Sequence, residues 1–147
     1  MYSYILIPHI IISILLLLVV LFVLIRSFLG IYSKVNFSKF IDINIPIFAV
    51  SLLYLELILG MMLYAIHINE LSTLVSQENA NSYFSARFWA VEHTILMMFA
   101  IVFGHLGLVY AKNLDEDKEK FQKNLIYFGI SFLLIIFSVG MNMIRNG

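Results

Sequence analysis

The chain has no cysteine. That excludes disulfides, thiolate metal sites, iron–sulfur clusters and covalent c-type haem attachment as intrachain chemistry. Charge is almost as scarce: Asp, Glu, Lys and Arg make up 12% of the 147 residues, where soluble domains carry about 25%. Nine residues of each sign cancel to a net charge of zero, which removes bulk electrostatic attraction to nucleic acid. Proline occurs only at Pro8 and Pro46, each placed in the opening turns of an apolar run, where a missing N–H costs little. The start of the chain lacks the basic segment of a cleavable signal, and its apolar run is longer than a signal's core. It is therefore read as a retained helix.

What remains is apolar. Hydrophobic residues account for 62% of the chain, gathered into runs over about residues 4–25, 47–67, 88–111 and 125–144. Each approaches the roughly 20 residues that carry a helix across a bilayer core. The pattern predicts an all-α, integral membrane, up-down four-helix bundle forming a single domain over residues 1–147. The short connections make sequential helices neighbours and set the first and third runs on one diagonal. The segment at 112–123, KNLDEDKEKFQK, mixes charges at helical spacing and reads as a solvated helical extension. The segment at about 68–86 reads as an outer loop.

Orientation follows from the basic residues. Arg26, Lys34, Lys39, Lys112, Lys118, Lys120 and Lys123 fall in two connections on one side, with only Arg87 and Arg145 opposite. Cytoplasmic loops are enriched in Lys and Arg, so both termini are expected outside. Tyr2, Tyr4, Tyr83, Phe84 and Trp89 then fall at the outer interface, where amphipathic rings settle.

Against that background the ionisable residues inside the runs carry the functional signal. A charged group in hydrocarbon costs roughly 2.5–3.5 kcal/mol on insertion scales. His9 on the first helix and His93 on the third stand at matching depth, each about one and a half turns below the outer surface at ~1.5 Å per residue. Helical steps from His9 reach Ser13, and from His93 they reach Met97, Ala100, Gly104, Gly107 and Ala111. Such small residues permit close backbone approach or leave room for a flat cofactor. Two opposed imidazoles across a helical bundle can supply both axial ligands of a non-covalent haem b. The bland alternative is that each histidine bonds a neighbouring polar group and ligates nothing. Arg87 is a candidate partner for the haem propionates, as is Arg145, and Glu92 for orienting a ligand ring.

Glu56, near the middle of the second helix, is the oddest residue. Its expected partner is His105, on the inner half of the third helix, as a structural hydrogen bond or a proton relay. His67, at the outer end of the second helix, reads as a solvated interfacial histidine or an alternative ligand. Ser131, Ser138 and Asn142 form a stripe suited to interhelical hydrogen bonds. The methionines invite a copper(I) reading, since thioethers suit that ion. Met97 and Met98 lie on different faces, however, and methionine is a common core filler.

The segment Arg87-Phe88-Trp89-Ala90-Val91-Glu92-His93 resembles the R-F-W-x-x-E-H signature of small four-helix membrane proteins of Bacteroidetes-type bacteria labelled "cytochrome B". The likeness continues through Met97-Met98 and Ala100 to His105-Leu106-Gly107 and Lys112. Members of that family carry a histidine early in the first helix, matched by His9. Many have a glutamine near position 56, where this chain has Glu56. The resemblance implies a haem protein of respiratory type in the bacterial inner membrane. The expectation is an electron carrier rather than a stand-alone enzyme, served by a quinol or a membrane redox subunit, as a homo- or hetero-oligomer. Two other classes compete: a haem-free accessory or assembly subunit of a larger respiratory complex, and a proton- or ion-handling protein built on Glu56 and His105.

Overall fold

The computed structural model describes residues 2–33, 35–75 and 88–146, with side chains described over 3–33, 35–66, 88 and 91–141. Among the described residues every regular element is helical. α1 (Tyr2–Tyr32) is followed by a single turn, α2 (Lys39–Asp42), and by α3 (Asn44–Val75). A π-helical turn, Phe88–Glu92, runs directly into α4 (His93–Asn113), and α5 (Asp117–Asn146) completes the chain. Four segments are long and apolar enough to cross a membrane: Ser3–Tyr32, Lys39–Ile66, His93–Asn113 and Asp117–Met141.

The helices outrun the apolar segments that announce them. α1 continues through Arg26 and Gly30 to Tyr32 rather than ending near residue 25. The reason is local. Arg26 is neutralised by Asp42, with Nε donating to Oδ1 at 2.8 Å and Nη2 to Oδ2 at 3.0 Å. Gly30 gives its space to the Phe121 ring, which a Cβ there would overlap. α3 begins at Asn44 instead of 47 and reaches Val75, past the expected limit at 67. The charged stretch from Asp117 is helical, as its spacing implies, so α5 starts well before residue 125.

Neighbouring helices are fixed by specific contacts. Ser13 of α1 meets Glu56 of α3, and Arg26 of α1 meets Asp42 beside the start of α3. His93 of α4 meets Ser138 of α5, and Ser131 Oγ of α5 donates to the Ala100 carbonyl at 2.8 Å. Along both pairs, residue numbers rise on one helix as they fall on the other. α1 and α4 each pack along α3 and α5, which sets α1 and α4 on one diagonal.

The distribution of polarity is inverted relative to a soluble protein. Leu18, Phe22, Leu133 and Phe137 are exposed, whereas Ser27, Glu56, Asn124, Ser131 and Ser138 are buried. Water would reverse both preferences; hydrocarbon rewards them, because every polar group must then find its partner inside the protein. The apolar interior is built from Leu16, Val20, Leu53, Ile101, Phe128 and Ile135. The small residues of α4 serve close packing. A Cβ on Gly104 would stand 2.9 Å from Leu53 Cδ1, and one on Gly107 would stand 3.0 Å from the Phe128 ring. Those positions are filled by neighbours, so they leave no room for a cofactor.

Candidate functional site

The polar residues of α1, α3, α4 and α5 converge at one level. His9 and Ser13 are four residues apart and share a face of α1, as helical spacing requires. Both reach Glu56. The Ser13 hydroxyl donates to Oε2 at 2.9 Å, and His9 Nδ1 lies 2.6 Å from the same oxygen. That histidine contact is close but poorly aligned for a hydrogen bond, and Oε1 has no hydrogen-bond partner among the described residues. Glu56 itself is 9% exposed. A buried acidic group is tolerated only where polar partners face it, and here α1 supplies the Ser13 hydroxyl as donor and sets His9 Nδ1 close by.

On the other side stands His93, the first residue of α4 after the π-helical turn. π-helical turns recur at functional sites, because the extra residue re-aims the side chains that follow. His93 Nδ1 hydrogen-bonds Ser138 Oγ at 2.7 Å, and Ser138 is fully buried. The His9 and His93 ring centres are 6.3 Å apart and their planes cross at 83°. The cavity at this level is walled by Leu16, Leu53, Met97, Ile101 and Ile135. Its lining includes two exposed residues, Met61 on α3 and Val139 on α5.

These residues can be tested against a bis-histidine haem. Two metal–imidazole bonds of about 2.0 Å each span some 4 Å between ligating nitrogens. The remainder of the 6.3 Å separation is the two imidazole half-widths. The ring spacing therefore suits one metal atom between them. Among the described residues no three His, Asp or Glu side chains form a chelating cluster. A haem needs none, because its macrocycle brings the four equatorial nitrogens. Space is tighter. The cavity is about 70 Å³, against the roughly 300–1,000 Å³ of ordinary cofactor-sized pockets. The donors fit, whereas the cavity is too small for a macrocycle, which would enter only with the helices parted.

The other expected site residues divide. Glu56 does not pair with His105. It belongs to His9 and Ser13, while His105 is exposed and its Nδ1 lies 3.5 Å from the Tyr54 hydroxyl. The proposed Glu56–His105 relay therefore has no contact to run through. The error was one of face: His105 does turn toward α3, but outward of Glu56. Glu92 is half-buried in the π-helical turn beside His93. Arg87 lies outside the described residues, as do the side chains of His67 and Arg145. Ser138 is the residue that sequence reasoning passed over as packing. Its signal was its place one helical repeat, seven residues, from Ser131 on the same inward stripe. Met97 lines the cavity and Met98 is exposed, on different faces as expected.

No family model, curated protein or solved structure matches the chain.

Proposed function

We propose that the chain is a multi-pass protein of the bacterial inner membrane, an up-down four-helix bundle with both termini outside, that carries electrons through a haem b held between His9 and His93. One observation carries this reading: two imidazoles on diagonal helices, 6.3 Å apart between ring centres, with Nδ1 of His93 hydrogen-bonded to Ser138 and Nδ1 of His9 close to Glu56. Haem b supplies reversible one-electron exchange when bound.

The chain's own residues do the rest. Nε2 of each histidine is the ligand atom, because Nδ1 of His9 is directed at Glu56 and Nδ1 of His93 at Ser138. Partners at Nδ1 fix the tautomer and the ring orientation, and their loss in metal sites typically costs 10- to 100-fold in affinity. Leu16, Leu53, Ile101 and Ile135 keep water out and the local dielectric low. Four apolar helices with outward-facing Leu, Ile and Phe support the membrane placement. The excess of Lys and Arg in the segments around 26–39 and 112–123 supports the orientation, and the resemblance of residues 87–93 to the "cytochrome B" signature agrees with the haem.

The test is a visible spectrum of detergent-purified protein, oxidised and then reduced with dithionite. A sharp Soret band and reduced α-band are expected, lost or converted to a five-coordinate form in His9→Ala and in His93→Ala. Colourless protein from haem-replete cells that co-purifies with respiratory subunits would instead select the accessory-subunit reading.

A further inference from the structure

Away from that cavity, a second polar pair faces outward. Tyr54, near the middle of the α3 span, is 44% exposed, and His105, near the middle of the α4 span, is exposed beside it. The phenol oxygen and His105 Nδ1 are 3.5 Å apart, and the two rings meet nearly edge-on at 82°. At about 1.5 Å per residue His105 lies roughly 18 Å along α4 from His93, so the pair is separate from the haem cavity.

Around it the outward surface is apolar: Met98, Val102 and Val109 flank His105 on α4, and Leu55 and Ile58 flank Tyr54 on α3. In water this would be unremarkable. In hydrocarbon, an imidazole N–H and a phenol that satisfy each other only at 3.5 Å cost several kcal/mol unless something from the lipid phase completes their hydrogen bonds.

We propose that Tyr54 and His105 form a binding site for the headgroup of a lipid-soluble quinone. The surface selects a small ligand over another transmembrane helix. Helices pack closely through small residues, and those of α4 (Ala100, Gly104, Gly107 and Ala111) are all buried inward. What α4 offers outward at this level is bulky and flexible. A quinone brings what the pair lacks: ring oxygens that accept hydrogen bonds from an imidazole and a phenol, a flat ring face for Tyr54, and an apolar tail for the surrounding lipid. This inference rests on the membrane placement proposed above and names the redox partner of that reading, but it does not require haem to be bound.

The test is equilibrium binding of decylubiquinone to the purified chain in lipid nanodiscs, with decylbenzene as a competitor that has the tail and lacks the oxygens. Saturable binding that decylbenzene does not displace is expected, weakened about tenfold in Tyr54→Phe and in His105→Phe, the weight of one lost hydrogen bond. Both side chains are exposed, so the variants fold. The His9→Ala protein is expected to bind the quinone as the parent does, whatever its spectrum, which separates this site from the haem. Absence of saturable binding, or binding unchanged in both variants, overturns the proposal. So does efficient disulfide dimerisation of a His105→Cys chain in membranes, since a second copy would then cover the pair.

Discussion

One carboxylate oxygen of Glu56 serves two side chains of α1, lying 2.6 Å from His9 Nδ1 and 2.9 Å from Ser13 Oγ. Replacing Glu56 by Ala leaves two half-buried side chains, His9 and Ser13, facing no carboxylate. A buried polar group stripped of its partner costs about 1–3 kcal/mol. Glu56→Ala is expected to lower unfolding stability in detergent by that amount and to loosen the hold on the His9 ring. Glu56→Gln retains an acceptor oxygen and should lose less. Equal losses in the two variants would mean that Glu56 acts through its charge rather than as a hydrogen-bond acceptor.

The same oxygen explains what sequence could and could not supply. Four helices were legible because hydrocarbon thickness sets their length and the runs lack charge. The matching depth of His9 and His93 was legible because rise per residue is constant. The partner of Glu56 was not. Depth along a helix follows from counting residues, whereas azimuth depends on how each helix is rotated against its neighbours. His105 and His9 both lie within reach of α3, and only packing decided between them. The helix ends were misread for a related reason. Arg26 looked like a terminus until Asp42, sixteen residues on, neutralised it.

That ion pair makes its own prediction. Asp42 is 3% exposed and its carboxylate also accepts the Ser38 N–H at 2.7 Å. Asp42→Ala removes the counter-charge of Arg26 and the acceptor of the Ser38 N–H together. Breaking a buried pair costs about 3–5 kcal/mol. Arg26 retains some access to its surroundings, with 21% of its side chain exposed, so a loss near the lower end is expected. The Arg26→Met/Asp42→Ala double variant should recover part of it, and chemical unfolding of the two proteins would measure the difference.

Glycines divide by what their missing Cβ would meet. Gly30 lies under the Phe121 ring, while nothing stands within 4 Å of a Cβ at Gly140. Gly30→Ala forces the Phe121 ring aside and is expected to destabilise by about 1–3 kcal/mol. Gly140→Ala meets no obstacle and gains the roughly 1 kcal/mol by which Ala exceeds Gly in a helix. Thermal unfolding in detergent should move in opposite directions for the two substitutions. A stabilised Gly30→Ala would contradict the close approach of α1 and α5.

Ser138 is fully buried and bonded to His93 Nδ1, so Ser138→Ala tests whether the His93 ring is held for a purpose. Loss of the hydroxyl leaves a cavity smaller than a water molecule, and the imidazole loses the Nδ1 partner that Ser138 provides. Haem titration into the apo form should show affinity reduced by 10- to 100-fold, while the backbone fold, read by circular dichroism, stays unchanged. Ser131→Ala, which breaks only the bond to the Ala100 carbonyl, should lower stability without touching haem affinity.

The 83° angle between the His9 and His93 rings has a spectroscopic consequence. Each imidazole raises the energy of one of the two iron d orbitals that lie out of the macrocycle plane. Parallel rings act on the same orbital and split the pair, whereas perpendicular rings act on one each and leave the pair nearly degenerate. Near-degeneracy preserves orbital angular momentum, which makes the g tensor of low-spin ferric iron strongly anisotropic. The oxidised protein should therefore give a low-temperature electron paramagnetic resonance signal with one large, isolated g value, not the three-line rhombic spectrum of parallel ligands. Ser138→Ala frees the His93 ring to rotate and should convert part of that signal to the rhombic form. A purely rhombic spectrum from the unaltered protein would show that the rings turn when they bind iron, and that Glu56 and Ser138 do not set their planes.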